Sequence, residues 1–351
     1  SVIGGTGARP REDVTLLAVD SYWTATAHTL TGRPSIDVSV PFPFAAQTPL
    51  ALRVDSEPPG VARQLEVLAE RENRPLRVHL APLTPGTTVK LHVRTLVLVR
   101  RRELPDGEDI DLVPPARVPD ELREYLQPAA GIESENGLIR RIAGTFRDRD
   151  LAEVTSDLFE FLKREIQGGG GDQGALATLE SKDAACTGHA NLGAALLIAA
   201  GVPTRVLACV MVGAEQQEHY VVESWTKALG WSRVETTLKL FPVPDALHAI
   251  LRVVYTDSPR SAMNVPLFWR GSEGVVAAPD GEVLDKAACW QTAKESGQVT
   301  LERAAAETVA SSAREAFEAL VKSPHDGAWL RLVPPETPAE LLMAVERFLA
   351  P

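Results

Sequence analysis

Residues 183–208 read DAACTGHANLGAALLIAAGVPTRVLA. From Thr187 to Ala200 almost every position is a small or apolar helix former. A helix that is apolar on every face is buried at the centre of a domain. Gly201 supplies a left-handed stop and Pro203 forbids continuation. Cys186 therefore lies at or just before the first turn of a central helix. There the unsatisfied backbone N–H groups and the positive helix end favour a thiolate over a thiol. The same N–H groups can receive a developing oxyanion. A cysteine taken alone is more often a small buried hydrophobe, so the reading depends on partners elsewhere in the chain.

Three strands are expected after the helix: Thr204–Val212, Glu218–Trp225 (EHYVVESW) and Trp231–Thr237 (WSRVETT). A five-residue connection, Thr226–Gly230, joins the last two as a hairpin. If Trp225 pairs with Trp231, then His219 and Glu235 become diagonal neighbours on one face, their backbones roughly 7–8 Å apart. A slip of one residue would send the two side chains to opposite faces. In the first register the carboxylate can hold the imidazole tautomer and stabilise the imidazolium. Each residue has a plainer reading, His219 as a satisfied half-buried histidine and Glu235 as a solvated strand carboxylate. His189, three residues after Cys186, is a rival base. Cys209 and Cys289 read as structural.

In these motifs the chain resembles the transglutaminase-like superfamily, a branch of the papain-like thiol enzymes. Its pattern has Cys at a helix start, an apolar run and Gly-Ile-Pro-Ala-Arg; here Cys186 is followed by Gly201-Val202-Pro203-Thr204-Arg205. A His then opens a strand carrying Val-Glu-aromatic, as in His219-Tyr220-Val221-Val222-Glu223-Ser224-Trp225. Last comes Gly-Trp, then a hydrophobe, an acid and Thr, as in Gly230-Trp231-Ser232-Arg233-Val234-Glu235-Thr236-Thr237. Glu235 stands where relatives usually carry Asp. The resemblance covers about residues 150–240.

It implies cysteine-dependent acyl transfer or hydrolysis at an amide, with Cys186 as nucleophile, His219 as base and Glu235 as orienting carboxylate. No upstream Trp or Gln stands out as the oxyanion donor that relatives use, and Gln173 is the candidate. The substrates implied are a peptide or protein, or a small amine or amide, with no cofactor and no metal. A second reading makes the core an inactive scaffold that binds peptides or proteins.

The expected fold class is α+β. Residues 1–104 read as an Ig-like β-sandwich, from short β-rich segments at Ser35–Val40, Leu50–Val54, Leu65–Ala69 and Arg77–Leu80 parted by turn signals. Val89, Leu91 and Val93 alternate with polar residues, the mark of a half-buried strand. A sandwich ahead of such a core is similar to bacterial members of the family. Residues 105–130, with five prolines, read as a linker. Residues 131–257 are the expected core, a central helix on an antiparallel sheet, with Leu151–Ile166 as a further helix capped by Asp150 and ended by the glycine run. Residues 258–351 are the expected extension, with mixed signals to 298, an amphipathic helix over 299–322 and a last helix from Thr337-Pro338.

Composition narrows the alternatives. The formal net charge of −11 repels phosphate backbones, so no nucleic-acid partner is expected. Three cysteines are too few for a disulfide framework and share no metal-ligand spacing. Gly168–Gly171 lacks the Lys-Ser/Thr ending of a phosphate cradle, and no acidic loop has calcium-ligand spacing. No apolar run is long enough for a membrane span. The sandwich-plus-core layout and the initial Ser1 lean towards an exported protein.

Overall fold

Residues 10–27, 34–101, 112, 114–147, 150–170, 174–214, 218–254, 274–277 and 283–351 are described by the computed structural model, with backbone only for 274–277 and 283–290. The chain is α+β. Its N-terminal strands are β1 (Arg11–Ala27), β2 (Ser35–Val38), β3 (Gln47–Glu57), β4 (Ala62–Val67), β5 (Leu76–Leu80) and β6 (Thr88–Arg100). Period-two alternation drives them: Val89, Leu91 and Val93 are buried, and Lys90 between them is exposed.

The middle of the chain forms α1 (Gly137–Ala143), α2 (Leu151–Glu165), β7 (Gln167–Gly168), α3 (Ala175–Ser181), β8 (Asp183–Ala184), α4 (Cys186–Ala199), β9 (Thr204–Met211), β10 (Glu218–Thr226), β11 (Gly230–Val234) and β12 (His248–Val254). The C-terminal part forms β13 (Gly274–Ala277), β14 (Val283–Glu302), α5 (Arg303–Ala319), β15 (His325–Asp326), β16 (Trp329–Arg331) and α6 (Ala339–Leu349).

Six strands make one sheet in the order β13-β14-β1-β6-β3-β16, and four make another, β15-β4-β5-β2. Leu50 and Leu52 of the first and Leu65, Leu76 and Val78 of the second share one buried apolar cluster. The returning chain adds to both sheets: β14 pairs antiparallel along nearly all of β1, β16 lies on β3 and β15 on β4. Phe317 of α5 and Leu341 and Val345 of α6 join the same cluster. The expected helix over 299–322 begins only at Arg303, because β14 runs on to Glu302, paired with Arg11. Its buried stripe is Ala306, Val309, Ala310, Ala313 and Phe317. In the proline-rich stretch Asp120–Leu126 is a 3-10 turn that buries Leu122 and Tyr125.

The third sheet, β11-β10-β9-β12, positions the candidate site. Its strands are antiparallel and covered on both faces. Val206 and Ala208 of β9 pack in the cluster of α4, whereas Leu207 and Cys209 belong to the cluster of the N-terminal sheets. Burial on both faces explains why TRVLACVM is a nearly continuous apolar run rather than an alternating one. The open edge of β12 is satisfied by two side-chain amides. Gln47 donates to Ile250 O and accepts from Ile250 N–H, at 2.8 and 2.9 Å. Asn73 does the same at Val253, at 2.9 and 2.7 Å. These four bonds replace a strand partner and tie β12 to the N-terminal sheets.

Candidate active site

α4 starts at Cys186 behind an extended Ala185, and no side chain caps it. Its first-turn N–H groups are therefore not consumed by a capping oxygen. The helix stops at Gly201 (φ +86°) ahead of Pro203. Two glycines bring it close to its neighbours. A Cβ on Gly193 would lie 2.5 Å from Thr236 Cγ2, and one on Gly188 would lie 2.7 Å from Thr178 Oγ1. The first turn of α4 is thus pressed against α3 and its middle against the chain just after Glu235.

β10 and β11 pair in the register Trp225↔Trp231 and Thr226↔Gly230. The connection is three residues, Lys227–Leu229, and not the expected five, because Thr226 and Gly230 are themselves paired. Gly230 takes φ +64°, as a short hairpin loop demands. β11 ends at Val234, and Glu235 bridges to Leu240 across a tight turn in which Lys239 has φ +55°. That turn aims backbone at the carboxylate: Thr237 N–H and Leu238 N–H donate to Glu235 Oε1 at 2.9 and 3.3 Å.

His219 Nε2 hydrogen-bonds Glu235 Oε2 at 2.8 Å, and the Cys186 side chain acts on the same imidazole. Cys186 is half-buried, His219 is 4 % exposed and Glu235 is fully buried. Burial pulls His219 towards the neutral form, but the contacts with Cys186 and Glu235 prevail and lift its pKa to about 9. Burial likewise opposes the charge on Glu235, yet His219 and a second histidine, His248, hold it well below the usual carboxylate range. The resting site at neutral pH therefore carries an imidazolium beside a carboxylate.

His248 was not among the residues expected from sequence. It opens β12, pairs with Met211, and stacks on His219 with ring centroids 5.5 Å apart and planes 10° apart. Its Nε2 lies 3.1 Å from Glu235 Oε2 but off the line of a hydrogen bond, so the contact is electrostatic. Burial drives its pKa down to about 4, which keeps it neutral. The signal in sequence was a His at the head of a β-rich run, HAILRVV, much as His219 stands near the start of its own strand. Donor atoms of His219, Glu235 and His248 converge within 4.8 Å. Because imidazole and backbone N–H groups already serve the carboxylate, the arrangement is that of a proton network.

The other candidates separate clearly. His189 donates from Nδ1 to Ala185 O at 3.1 Å, and its Nε2 is buried with no partner among the described residues, so neither nitrogen bonds Cys186. Cys209 is fully buried and donates to His219 O at 3.4 Å, and burial pushes its thiol pKa well up. Gln173 and the side chain of Cys289 lie outside the described residues. Arg205 is a clamp rather than a reactive group. It bonds Glu223 Oε2 at 3.0 and 2.8 Å, reaches Glu72 at 2.9 Å and lies 4.1 Å over the Trp231 ring.

A family model described as the transglutaminase-like superfamily matches residues 142–236. No curated protein matches the chain. Among solved structures, one described as a candidate cysteine protease from Cytophaga hutchinsonii is 14% identical, with 83% of this chain and 91% of that chain covered and a TM-score of 0.58. That likeness is one of fold. The periplasmic domain of TgpA from Pseudomonas aeruginosa is 15% identical over 64% of this chain and 88% of that one, with a TM-score of 0.32, too low to bear on the fold. No described helix is long and apolar enough to cross a membrane.

Proposed function

We propose, on the premise that residues 142–236 belong to the transglutaminase-like superfamily, that the chain is a cysteine-dependent acyl-transfer enzyme acting on amides through Cys186, His219 and Glu235. The observation that carries this reading is the His219 imidazole, hydrogen-bonded to the buried Glu235 carboxylate and raised in pKa by Cys186 at the start of α4 as well as by that carboxylate. The Cys186 sulfur, as thiolate, adds to the amide carbonyl carbon. The oxyanion is received by N–H groups of the first turn of α4. His219 gives its proton to the departing amine as the C–N bond breaks, leaving a thioester on Cys186. His219, now neutral, takes a proton from the incoming water or amine, which adds to the thioester carbonyl and releases the thiolate. Glu235 holds the ring in place and stabilises its charged form throughout.

Water as acceptor makes the reaction a peptidase or amidase step, and an amine makes it a transglutaminase step. Peptide or protein substrates, or small amines and amides, fit a site at a half-buried thiol. A glutamine-containing peptide incubated with and without a primary amine, followed by mass spectrometry, separates deamidation, cleavage and amine incorporation. Cys186→Ala should lower whichever product forms by a factor on the order of 10³ or more. Unchanged product with Cys186→Ala would overturn the mechanism. An exported location is part of the same reading, and fractionation of cells carrying the full-length protein tests it.

A further inference from the structure

We propose that His248 is a positioning residue for the Cys186–His219 pair, acting through Glu235 by packing beside His219 against Oε2 and keeping the carboxylate turned towards His219. The inference rests on the acyl-transfer reading above. Glu235 has one more rotatable bond than an aspartate in its place, so its carboxylate must be fixed by more than its own length. Oε1 is fixed by the N–H groups of Thr237 and Leu238. Oε2 sits between two imidazoles, 2.8 Å from His219 Nε2 and 3.1 Å from His248 Nε2. The two rings stack nearly parallel, so together they form one wall against Oε2 while the backbone N–H groups hold Oε1.

His248 is suited to this because it stays neutral. The charged and titratable groups acting on it are Glu235, Arg233 beside it on β11 and His219 on β10. A second cation beside the His219 imidazolium would compete for Oε2, and full burial together with the charge on Arg233 excludes it. His248 is itself held rigidly, since two residues on Ile250 is locked by the Gln47 amide. The amide–strand contact with the N-terminal sheets therefore reaches the reacting pair through one side chain.

The test compares His248→Leu, which fills space without polar atoms, with His248→Gln, which restores an N–H. The readouts are the pH titration of the His219 ring by NMR, assigned with a His219→Gln control, and the iodoacetamide rate at Cys186 near pH 7. In the parent protein His219 should titrate at about 9. In His248→Leu it should fall towards the ordinary 6.5, with alkylation slower by about tenfold, the factor that one pKa unit represents. His248→Gln should restore both. A Leu variant of equal thermal stability with unchanged titration and rate would overturn the proposal and leave His248 a packing residue. Should His248→Leu fail to fold, His248→Asn, polar but too short to reach Oε2, takes its place against Gln, and equal behaviour of Asn and Gln overturns it. If instead Cys186 of the parent protein reacts no faster than Cys209, the acyl-transfer reading fails, while the His219 titration still decides the role of His248.

Discussion

Two carboxylates are fully buried in the sheet that carries α4, and they are served by opposite chemistry. Glu223, on β10, is held by Arg205 and approached by Arg233, whose Nε lies 3.8 Å away. Glu235, just past β11, lies between His219 and His248. Glu223 and His219 are four residues apart on one strand and so share a face. The neighbours alone differ. Guanidinium stays protonated at every ordinary pH, so the Arg205–Glu223 pair can only hold strands together, and it does so between β9, β10 and Glu72 of the N-terminal part. Imidazole titrates, so the same carboxylate burial beside histidine becomes a device for holding and moving a proton. Burial of an acid is common to both regions; the partner decides whether it is structure or chemistry.

Exchanging roles should break the comparison in opposite directions. Glu235→Gln keeps the shape but removes the charge that holds His219, and product formation should fall about 10²–10⁴-fold, with the unfolding midpoint moving less than in the next variant. Arg205→Leu strands Glu223 without its main cation. It should cost about 3–5 kcal/mol of stability in denaturant unfolding, while the folded fraction keeps its alkylation rate at Cys186. A loss of reactivity in the Arg205 variant equal to that in the Glu235 variant would show that the two regions are not separable.

The pH dependence of stability sharpens the contrast, since the histidine region carries groups shifted across the range from acid to about pH 9. His219 is raised from 6.5 to about 9 in the fold, so its contribution is complete below pH 6.5 and lost as pH rises towards 9. His248 is lowered from 6.5 to about 4, so the unfolded chain binds the extra proton and stability falls as pH drops from 6.5 towards 4. The depressed Glu235 adds to the acid side, its contribution being lost only as pH falls below 4.5. Stability should therefore peak near pH 6.5, each flank worth on the order of 1–3 kcal/mol. The flanks should flatten in His219→Gln and His248→Gln but persist in Arg205→Leu. The smallest effect is local packing: Gly193→Ala places a methyl 2.5 Å from Thr236 Cγ2 and should cost about 1–3 kcal/mol, recovered in part by Thr236→Ser.

What was legible in the sequence follows from which forces are local. α4 and its stop at Gly201 follow from composition along one segment, and α2 from Asp150, whose Oδ1 accepts from Glu153 N–H at 2.8 Å. The Trp225↔Trp231 register was one of two left open in sequence, and the three-residue hairpin selects it. β14 was not legible, because its alternation is interrupted and its partner β1 lies over 250 residues earlier in the chain. His248 was missed for a related reason: β12 is satisfied by Gln47 and Asn73, whose role as edge partners leaves no trace in strand propensity. Arg205 was visible as part of a motif, but its work as a clamp depends on Glu72, 133 positions away.

The central claim is that Cys186 is an activated thiol because it shares His219 with Glu235. Its most direct test is competitive iodoacetamide labelling of the native protein near neutral pH, with peptide mapping of Cys186 and Cys209. Cys186 should label rapidly and Cys209 hardly at all, and His219→Ala should abolish the difference in a protein that still folds. Equal slow labelling of both cysteines in the parent protein would contradict the account.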